Sequence, residues 1–580
     1  MKIHEISKAI REHSSLLVVI VVAIGFFLFS STFNFLSQDD SFRKWMSPDE
    51  TANYTIAKLF AETGTVQFFE SYNLISKDII HPRSFRSDWG WIKPVSFLGL
   101  PLLYGSLAKI FGTDVLPYLT PLFGSIGIIF FYLLVKELFG RSIALWSAIL
   151  LAVFPVYVYF SSRSFFHNIL FIVCLTAGSY FAVVMAKKSE IATGSYFNKN
   201  KFQIMAALLA GLAFGWAIVT RTSELIWVGP LLFCLYIFNF RRVGIVKLVL
   251  FLLGLGISFL PVLYWNQILY GSWYASGYPA LNSSLGTLTE NSVALAQTTA
   301  AGKLWEIKPL LAKIKMTIFH FGYKPDQSLT MFDRYVVSMF AWLFWSAIIG
   351  FILYVLQLKK YTKKRWLFIS AWLCCSFIVI LYYGSWLFYD NPDPKSFTIG
   401  NSYTRYWLPF YLGALILSSL ALVTVTSWFR HPWLIVSLRW FAVITIAVIS
   451  IRFVWLDPAE GLKVSIDKQR AAKVEWQTVL SKTESNSIII TRYHDKVFFP
   501  ERKVVVGLFD DPNIIREYGN LAERLSVYYY NFTFPEKDLT YLNSGPLFDV
   551  GMRLTPLEKI TDSFTLYSLE KVYSGPVQSL

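Results

Sequence analysis

Ser47-Pro48-Asp49-Glu50 sets two neighbouring carboxylates where the sequence opens a helix: Ser as cap, Pro at the first helical position, Glu as capping-box partner. The pair is the candidate catalytic acid-base group. Glu50 is the natural capping partner, which leaves Asp49 to face a cavity. A helix N-terminus stabilises the charged form of Asp49, so it can accept a proton. Four cations, Lys93, Arg163, Arg221 and Arg405, fall near the ends of apolar segments. Snorkelling to an interface is the ordinary explanation for any one of them. Together they match a phosphate head group whose tail lies in lipid, and a departing phosphate needs its growing charge stabilised. The chemistry suggested is group transfer on an anionic lipid.

The chain that must position these groups has 580 residues, 55% of them hydrophobic and 16% charged. Soluble domains run nearer about a quarter charged. Aromatic content is 18% and mean hydropathy +0.48. Disorder, a collagen-like chain and a disulfide framework are excluded, and a polytopic membrane protein remains. Eleven spans are expected near 14–36, 115–135, 142–162, 164–186, 203–221, 223–240, 247–266, 335–358, 366–388, 406–428 and 434–456. Lysine and arginine place the N-terminus inside, with further inner clusters at 136–141, 187–201, 241–247 and 359–365. The C-terminus then lies outside. The first span resembles a signal peptide only superficially, being too long, and reads as an anchor. The tail 457–580 holds 15 Lys+Arg and 17 Asp+Glu, so its net charge is −2 and the remainder carries +18. The positive charge is therefore a topology signal, with no nucleic acid as partner. Cys174, Cys234, Cys374 and Cys375 all fall in spans and read as core residues.

Two outer loops and the tail carry most of the remaining sequence. In loop 37–114 the helix that opens at Ser47 shows Ile56, Leu59 and Phe60 on one face and stops near Gly64. A second interfacial or re-entrant helix is expected from Lys93-Pro94 to Phe111-Gly112. Loop 267–334 contains an aromatic, basic amphipathic stretch from Lys303 to Tyr323. The tail has a helix-like stretch at 468–480 and strand-like runs at 487–491, 503–506, 526–530 and 564–569, the pattern of a small α/β domain. The expected domains are thus 1–456 in the membrane and 457–580 outside it.

These features resemble the GT-C superfamily of polyprenyl-phosphate-dependent glycosyltransferases, in the branch of protein O-mannosyltransferases and lipid A aminoarabinose transferases. The resemblance covers roughly 14–456. It is carried by Asp49-Glu50 after the first span, Lys93-Pro94 through Phe111-Gly112, and Glu137-Leu138-Phe139-Gly140-Arg141. Further carriers are Thr220-Arg221-Thr222, Arg405-Tyr406-Trp407-Leu408-Pro409, and the stretch from Asn266 through Tyr270-Gly271-Ser272 to Gly277-Tyr278. It implies an inverting transfer at the outer face of the plasma (cytoplasmic) membrane. The donor would be a polyprenyl-phosphate-linked sugar, and the acceptor a hydroxyl of a glycan, lipid or protein. By resemblance Asp49 is the base, Lys93 and Arg405 contact the donor phosphate with Arg163 and Arg221 nearby, and Asn266, Tyr278, His167 and Asn168 line the substrate cavity. One departure stands out. Relatives carry an acid where this chain has Asn168, and Ile92 precedes Lys93, so a divalent metal ion shared between the outer loops lacks its second carboxylate here.

A transporter or flippase is the competing reading. Such proteins carry charged or broken helices at the bilayer midplane, whereas these spans are almost free of acids and bases there. A scaffold that displays the tail ranks last, and an acyltransferase lacks a paired His-Asp arrangement on a helix.

Overall fold

The structure is a computed structural model that describes residues 2–187, 196–277, 322–357, 362–388, 390 and 397–572. The chain forms two compact units, one of Met1–Phe35, Pro117–Leu263 and Thr299–Val464, the other of Leu36–Leu116, Tyr264–Thr298 and Ser465–Leu580.

The first unit is helical. Eight of the described helices are long and apolar enough to cross a membrane, or ten if each of two bent pairs is one span. The bent pairs are Arg141–Ala152 with Pro155–Ser162, at 53°, and Pro325–Ser338 with Ala341–Leu356, at 95°. In the first pair Phe154 is extended (φ −72°, ψ 123°) and Pro155 restarts the helix, because a residue before proline avoids helical geometry. The 49-residue stretch Thr222–Tyr270 far exceeds the ~20 residues a bilayer core needs. It breaks at Gly244 (φ 66°, ψ 176°), beside Arg241 and Arg242, between the two spans expected at 223–240 and 247–266. Divided there, the ten become the eleven expected. Large apolar side chains such as Leu17, Val21, Leu28, Phe441, Ile444 and Val448 are exposed. In water such faces would drive aggregation, whereas lipid takes them at no cost. The chain is a multi-pass membrane protein. All four cysteines are free thiols on helices.

The second unit contains two sheets. The smaller joins β1 (Phe68–Phe69), β2 (Phe85–Asp88) and β3 (Trp91–Pro94) in the order β1-β3-β2, all antiparallel. This corrects one expectation: Lys93-Pro94 does not open a helix. It ends a strand, with Lys93 paired to Arg86 and Pro94 to Phe85, and the helix begins later, at Gly99–Phe111. Proline is tolerated at such a strand end, and Pro101 supplies the early-helix proline. The Pro48–Thr63 helix forms as read and stops at Gly64 in the left-handed conformation (φ 74°).

The larger sheet holds β4 (Ile488–Thr491), β5 (Lys503–Val506), β6 (Val527–Phe532), β7 (Met552–Lys559) and β8 (Phe564–Lys571). Its order is β5-β4-β6-β8-β7, parallel across β5-β4-β6 and antiparallel beyond. The helix expected at 468–480 spans Leu462–Lys482, and helices Pro512–Ala522 and Glu536–Ser544 join it. The core of Ile488, Ile490, Val505, Tyr518, Tyr529 and Tyr567 also includes Ile80 from the long loop between the first two membrane helices, which bridges to Val505 at the open edge of β5. The loop is fastened further: Asp495, fully buried, accepts from the Arg83 amide (2.8 Å) and Nε (3.0 Å), and Lys44 Nζ pairs with Glu501 at 2.5 Å. The expected small tail domain is present, and it shares one compact unit with residues 36–116.

Candidate active site

At the start of the Pro48–Thr63 helix the Ser47 amide donates to Glu50 Oε2 at 2.8 Å, closing the capping box, and Glu50 is 2% exposed. Glu50 is thus used on the backbone, while its neighbour points elsewhere. The Asp49 carboxylate accepts from Ser84 Oγ at 2.7 Å. Ser84 holds a left-handed backbone (φ 64°) just before β2, a conformation uncommon for a residue with a side chain. The helix N-terminus and one hydroxyl donor hold Asp49 as an acceptor.

Lys93 is positioned by the β2–β3 hairpin. Its two-residue turn, Trp89-Gly90, has positive φ at both positions (51° and 80°), the geometry that matches strand twist and favours Gly at the second place. Asp78 clasps the tip, accepting from the Trp89 amide (2.9 Å), the Gly90 amide (2.8 Å) and Ser87 Oγ (2.7 Å). Register then sets Arg86 directly across from Lys93. Lys93 Nζ reaches Asp88 Oδ2 at 3.1 Å and the Leu269 carbonyl at 2.8 Å. Arg86 Nε donates to the same Asp88 oxygen at 2.9 Å, with Nη2 also on it, and the guanidinium lies 5.8 Å from the Tyr270 ring centroid. Tyr270 Oη in turn holds the Pro94 carbonyl at 2.5 Å. Asn266, in the last turn of its helix, donates to the Trp273 carbonyl at 3.4 Å. Tyr278 lies outside the described residues.

In the helical unit three cations share a run of aromatic faces. Arg163 follows the Pro155–Ser162 helix, where the last carbonyls favour a cation. It donates to Tyr159 Oη at 3.1 Å and lies 5.1 Å from the Phe166 centroid. Arg405, on the short helix Ser402–Tyr406, lies 4.6 Å from the same Phe166 and 5.2 Å from Tyr406. Arg221 lies 4.6 Å from Tyr406. Guanidinium groups over ring faces are attracted to them electrostatically. Arg221 has an acid as well: Nε donates to Glu224 Oε1 at 2.9 Å, Tyr383 Oη donates to that oxygen at 2.6 Å, and Trp227 Nε1 donates to Oε2 at 2.5 Å. His167 and Asn168 open the next helix, both buried, and Asn168 Nδ2 donates to the Arg405 carbonyl at 3.2 Å.

Residues 98–265 match the sequence family described as dolichyl-phosphate-mannose-protein mannosyltransferase. The solved archaeal oligosaccharyltransferase AglB of Archaeoglobus fulgidus, in complex with an inhibitory peptide and a dolichol-phosphate, is 13% identical. The alignment covers 98% of this chain and 75% of that one, with a TM-score of 0.56. The same organism's oligosaccharyltransferase tethered to an acceptor peptide gives 14% identity, 89% and 69% coverage and a TM-score of 0.53. Apo ArnT of Cupriavidus metallidurans is 10% identical over 96% of this chain and 98% of that one, at a TM-score of 0.50. No curated protein matches the sequence significantly. The chain shares the fold of these solved structures. The family match takes in Arg163, His167, Asn168 and Arg221 and leaves Asp49, Lys93 and Arg405 outside it.

On this fold the expected residues divide between the two compact units. Asp49, Glu50, Lys93 and Asn266 belong to the second unit, and Arg163, His167, Asn168, Arg221 and Arg405 to the helical one. Sequence reasoning missed Arg86, Asp88 and Ser84 in the first group, and Phe166, Tyr406, Glu224 and Tyr383 in the second. The Asp88-Trp89-Gly90-Trp91 turn was the available signal for Arg86, since a hairpin closed there must set residue 86 against residue 93. Among the described residues no three His, Cys, Asp or Glu side chains gather as metal ligands. Asn168, at the position of the missing acid, offers an amide whose nitrogen is engaged with a carbonyl. Among the described residues, these side chains do not fit a divalent ion.

Proposed function

We propose that this protein is an inverting glycosyltransferase that moves a sugar from a polyprenyl-phosphate donor to an acceptor hydroxyl on the outer face of the plasma membrane. The N-terminus would be cytoplasmic and the second unit extracytoplasmic. The observation that carries the reading is Asp49: a carboxylate at a helix N-terminus, oriented by Ser84 Oγ, whose neighbour Glu50 takes up the capping role.

The reaction is a single displacement. Asp49 accepts the proton of the acceptor hydroxyl as that oxygen bonds to the anomeric carbon. The bond from that carbon to the phosphate oxygen breaks with its electron pair on the phosphate. The sugar passes through an oxocarbenium-like transition state, and because phosphate is a good leaving group one base suffices. Polyprenyl phosphate leaves with one more negative charge than it had in the donor. Lys93, in the same unit as Asp49, is assigned to that charge, which grows in the transition state and is where fixed cations lower the barrier most. Arg405 and Arg163 are assigned to the donor phosphate by the sequence resemblance. Arg221, committed to Glu224, positions Tyr406 beside Arg405.

The acceptor is a glycan, lipid or protein hydroxyl. The test supplies membranes that contain the full chain with polyprenyl-phosphate sugars labelled in the sugar, and follows label into non-polyprenyl products. Asp49→Asn should lower transfer by about 10²- to 10⁴-fold, the range of general-base catalysis, with expression and membrane insertion unchanged. Retained transfer in that variant overturns the base assignment.

A further inference from the structure

The Lys93 site contains an anion of its own. Asp88 Oδ2 receives Arg86 Nε at 2.9 Å and Lys93 Nζ at 3.1 Å, so one carboxylate oxygen bridges two cations that face each other across the β2–β3 ladder. Like charges directly opposite on a sheet repel, and the bridging oxygen relieves that repulsion. We propose that Asp88 is a resident counter-anion which the donor phosphate displaces, and that Arg86 is the second cation the phosphate then gains. This rests on the reading of Lys93 as a donor-phosphate contact.

Three observations support exchange. Each cation has a second anchor that does not involve Asp88: Lys93 Nζ holds the Leu269 carbonyl at 2.8 Å, and the Arg86 guanidinium lies 5.8 Å from the centroid of the Tyr270 ring. Both can stay in place when the carboxylate swings away. The hairpin turn is held by Asp78 and not by the Asp88 side chain, so the strand register survives the exchange. The trio is also partly open, with side chains 29% (Arg86), 13% (Lys93) and 30% (Asp88) exposed. A phosphate arriving there finds a fork and a point charge already spaced for an oxyanion.

Charge gives Asp88 a purpose beyond occupying the site. Two cations and one acid leave a net charge of +1, which balances the single charge of a sugar phosphodiester. The product, a phosphate monoester, carries about −1.5 to −2. A carboxylate that competes for the same cations weakens the hold on the product and lets polyprenyl phosphate leave.

The test measures binding of a polyprenyl monophosphate to the full chain in nanodiscs, alongside donor KM. Asp88→Asn should bind the lipid phosphate about tenfold tighter. Arg86→Ala should bind it about tenfold weaker or more, as expected of a lost hydrogen bond to a charged group, and Arg86→Lys should fall between. If Asp88→Asn fails to assemble, the two Arg86 variants decide. Unchanged affinity in the Asp88 and Arg86 variants, with Lys93→Ala still weakened, overturns the exchange and leaves the donor reading standing. Unchanged affinity in Lys93→Ala as well removes the donor reading and this inference with it. Equal competition by inorganic phosphate, or by phosphatidylglycerol in the nanodisc, would make the site a general anion or bulk-lipid site and also overturn the proposal.

Discussion

Arg221 and Lys93 are equivalent in the sequence: each is a cation at the edge of an apolar segment, suited to a phosphate. The structure separates them. Arg221 and Glu224 are 7% and 2% exposed, and Glu224 receives Arg221, Tyr383 and Trp227 together. Lys93 shares one oxygen of a half-open carboxylate with Arg86. The first is a closed knot, in which every partner is needed to satisfy the others. The second is an ion pair with room and spare anchors. Charge near a membrane surface is therefore not informative by itself. What matters is whether the acid opposite can be replaced by another anion without leaving a buried group unsatisfied.

The largest effect that would test this contrast is Arg221→Ala. It leaves Glu224 buried without its counter-ion, a loss of about 3–5 kcal/mol for broken buried pairs. The full chain in detergent should unfold well below the wild-type temperature, whereas Lys93→Ala should melt near wild type. Replacing both partners, Arg221→Met with Glu224→Leu, should recover most of the loss, because an apolar pair leaves no orphaned charge. If Arg221→Ala melts normally and instead weakens donor use as Lys93→Ala does, Arg221 belongs with the phosphate contacts and the contrast fails.

The parts of this arrangement that could be read from sequence are those specified locally. The helix at Pro48 is encoded by four consecutive residues, and its stop at Gly64 by one. Tail strands such as Ile488–Thr491 announce themselves as β-branched runs, and the break at Gly244 sits where Arg241 and Arg242 interrupt the apolar stretch. The β2–β3 hairpin was hidden because its strands are four residues long and its turn depends on Asp78, eleven residues before its tip. β7 was hidden because Pro556 and a charged, exposed face mask an edge strand. For Arg221, the Glu224 partner three residues on was visible, but Tyr383 is supplied by a distant helix. Pairing across long separations decides whether a cation is structural or available, and that information lies outside any single segment.

His494 adds a third case, a cation-forming group that avoids its charge. In the tail its Nε2 lies 3.2 Å from Glu475 Oε1, and it packs against Tyr530 and Phe564. Burial, with Lys496 nearby, pushes the imidazole down to about 4. The folded tail thus holds His494 neutral, while the unfolded chain takes up a proton below about 6.5. Stability contributed by the neutral state is complete above pH 6.5, falls as pH drops towards 4, and levels off below it. The loss is about 3 kcal/mol at most. Glu475, raised by its own burial, titrates in the opposite sense, so the comparison must be with His494→Gln. Hydrogen exchange in β4 and β6 should show wild type losing protection relative to that variant between pH 6.5 and 4. Parallel curves would mean that His494 is charged in the fold, and that this pair belongs with the closed knot.

The smallest effect concerns Ser84, which separates orientation from binding within the second unit. Its hydroxyl touches Asp49 and no phosphate contact, so it is a positioning residue. Ser84→Ala should lower kcat about three- to tenfold, the worth of one modest hydrogen bond, and leave donor KM where it was. Lys93→Ala should raise that KM. Because Ser84 stands at φ 64°, a second variant distinguishes hydroxyl from backbone. Glycine adopts that conformation readily, yet it also lacks the hydroxyl. If the hydrogen bond to Asp49 is what counts, Ser84→Gly and Ser84→Ala lose kcat equally. If the strained turn is what counts, Ser84→Gly keeps its rate. A shift in donor KM in either variant would instead place Ser84 with Lys93 and Arg86 on the phosphate side of the reaction.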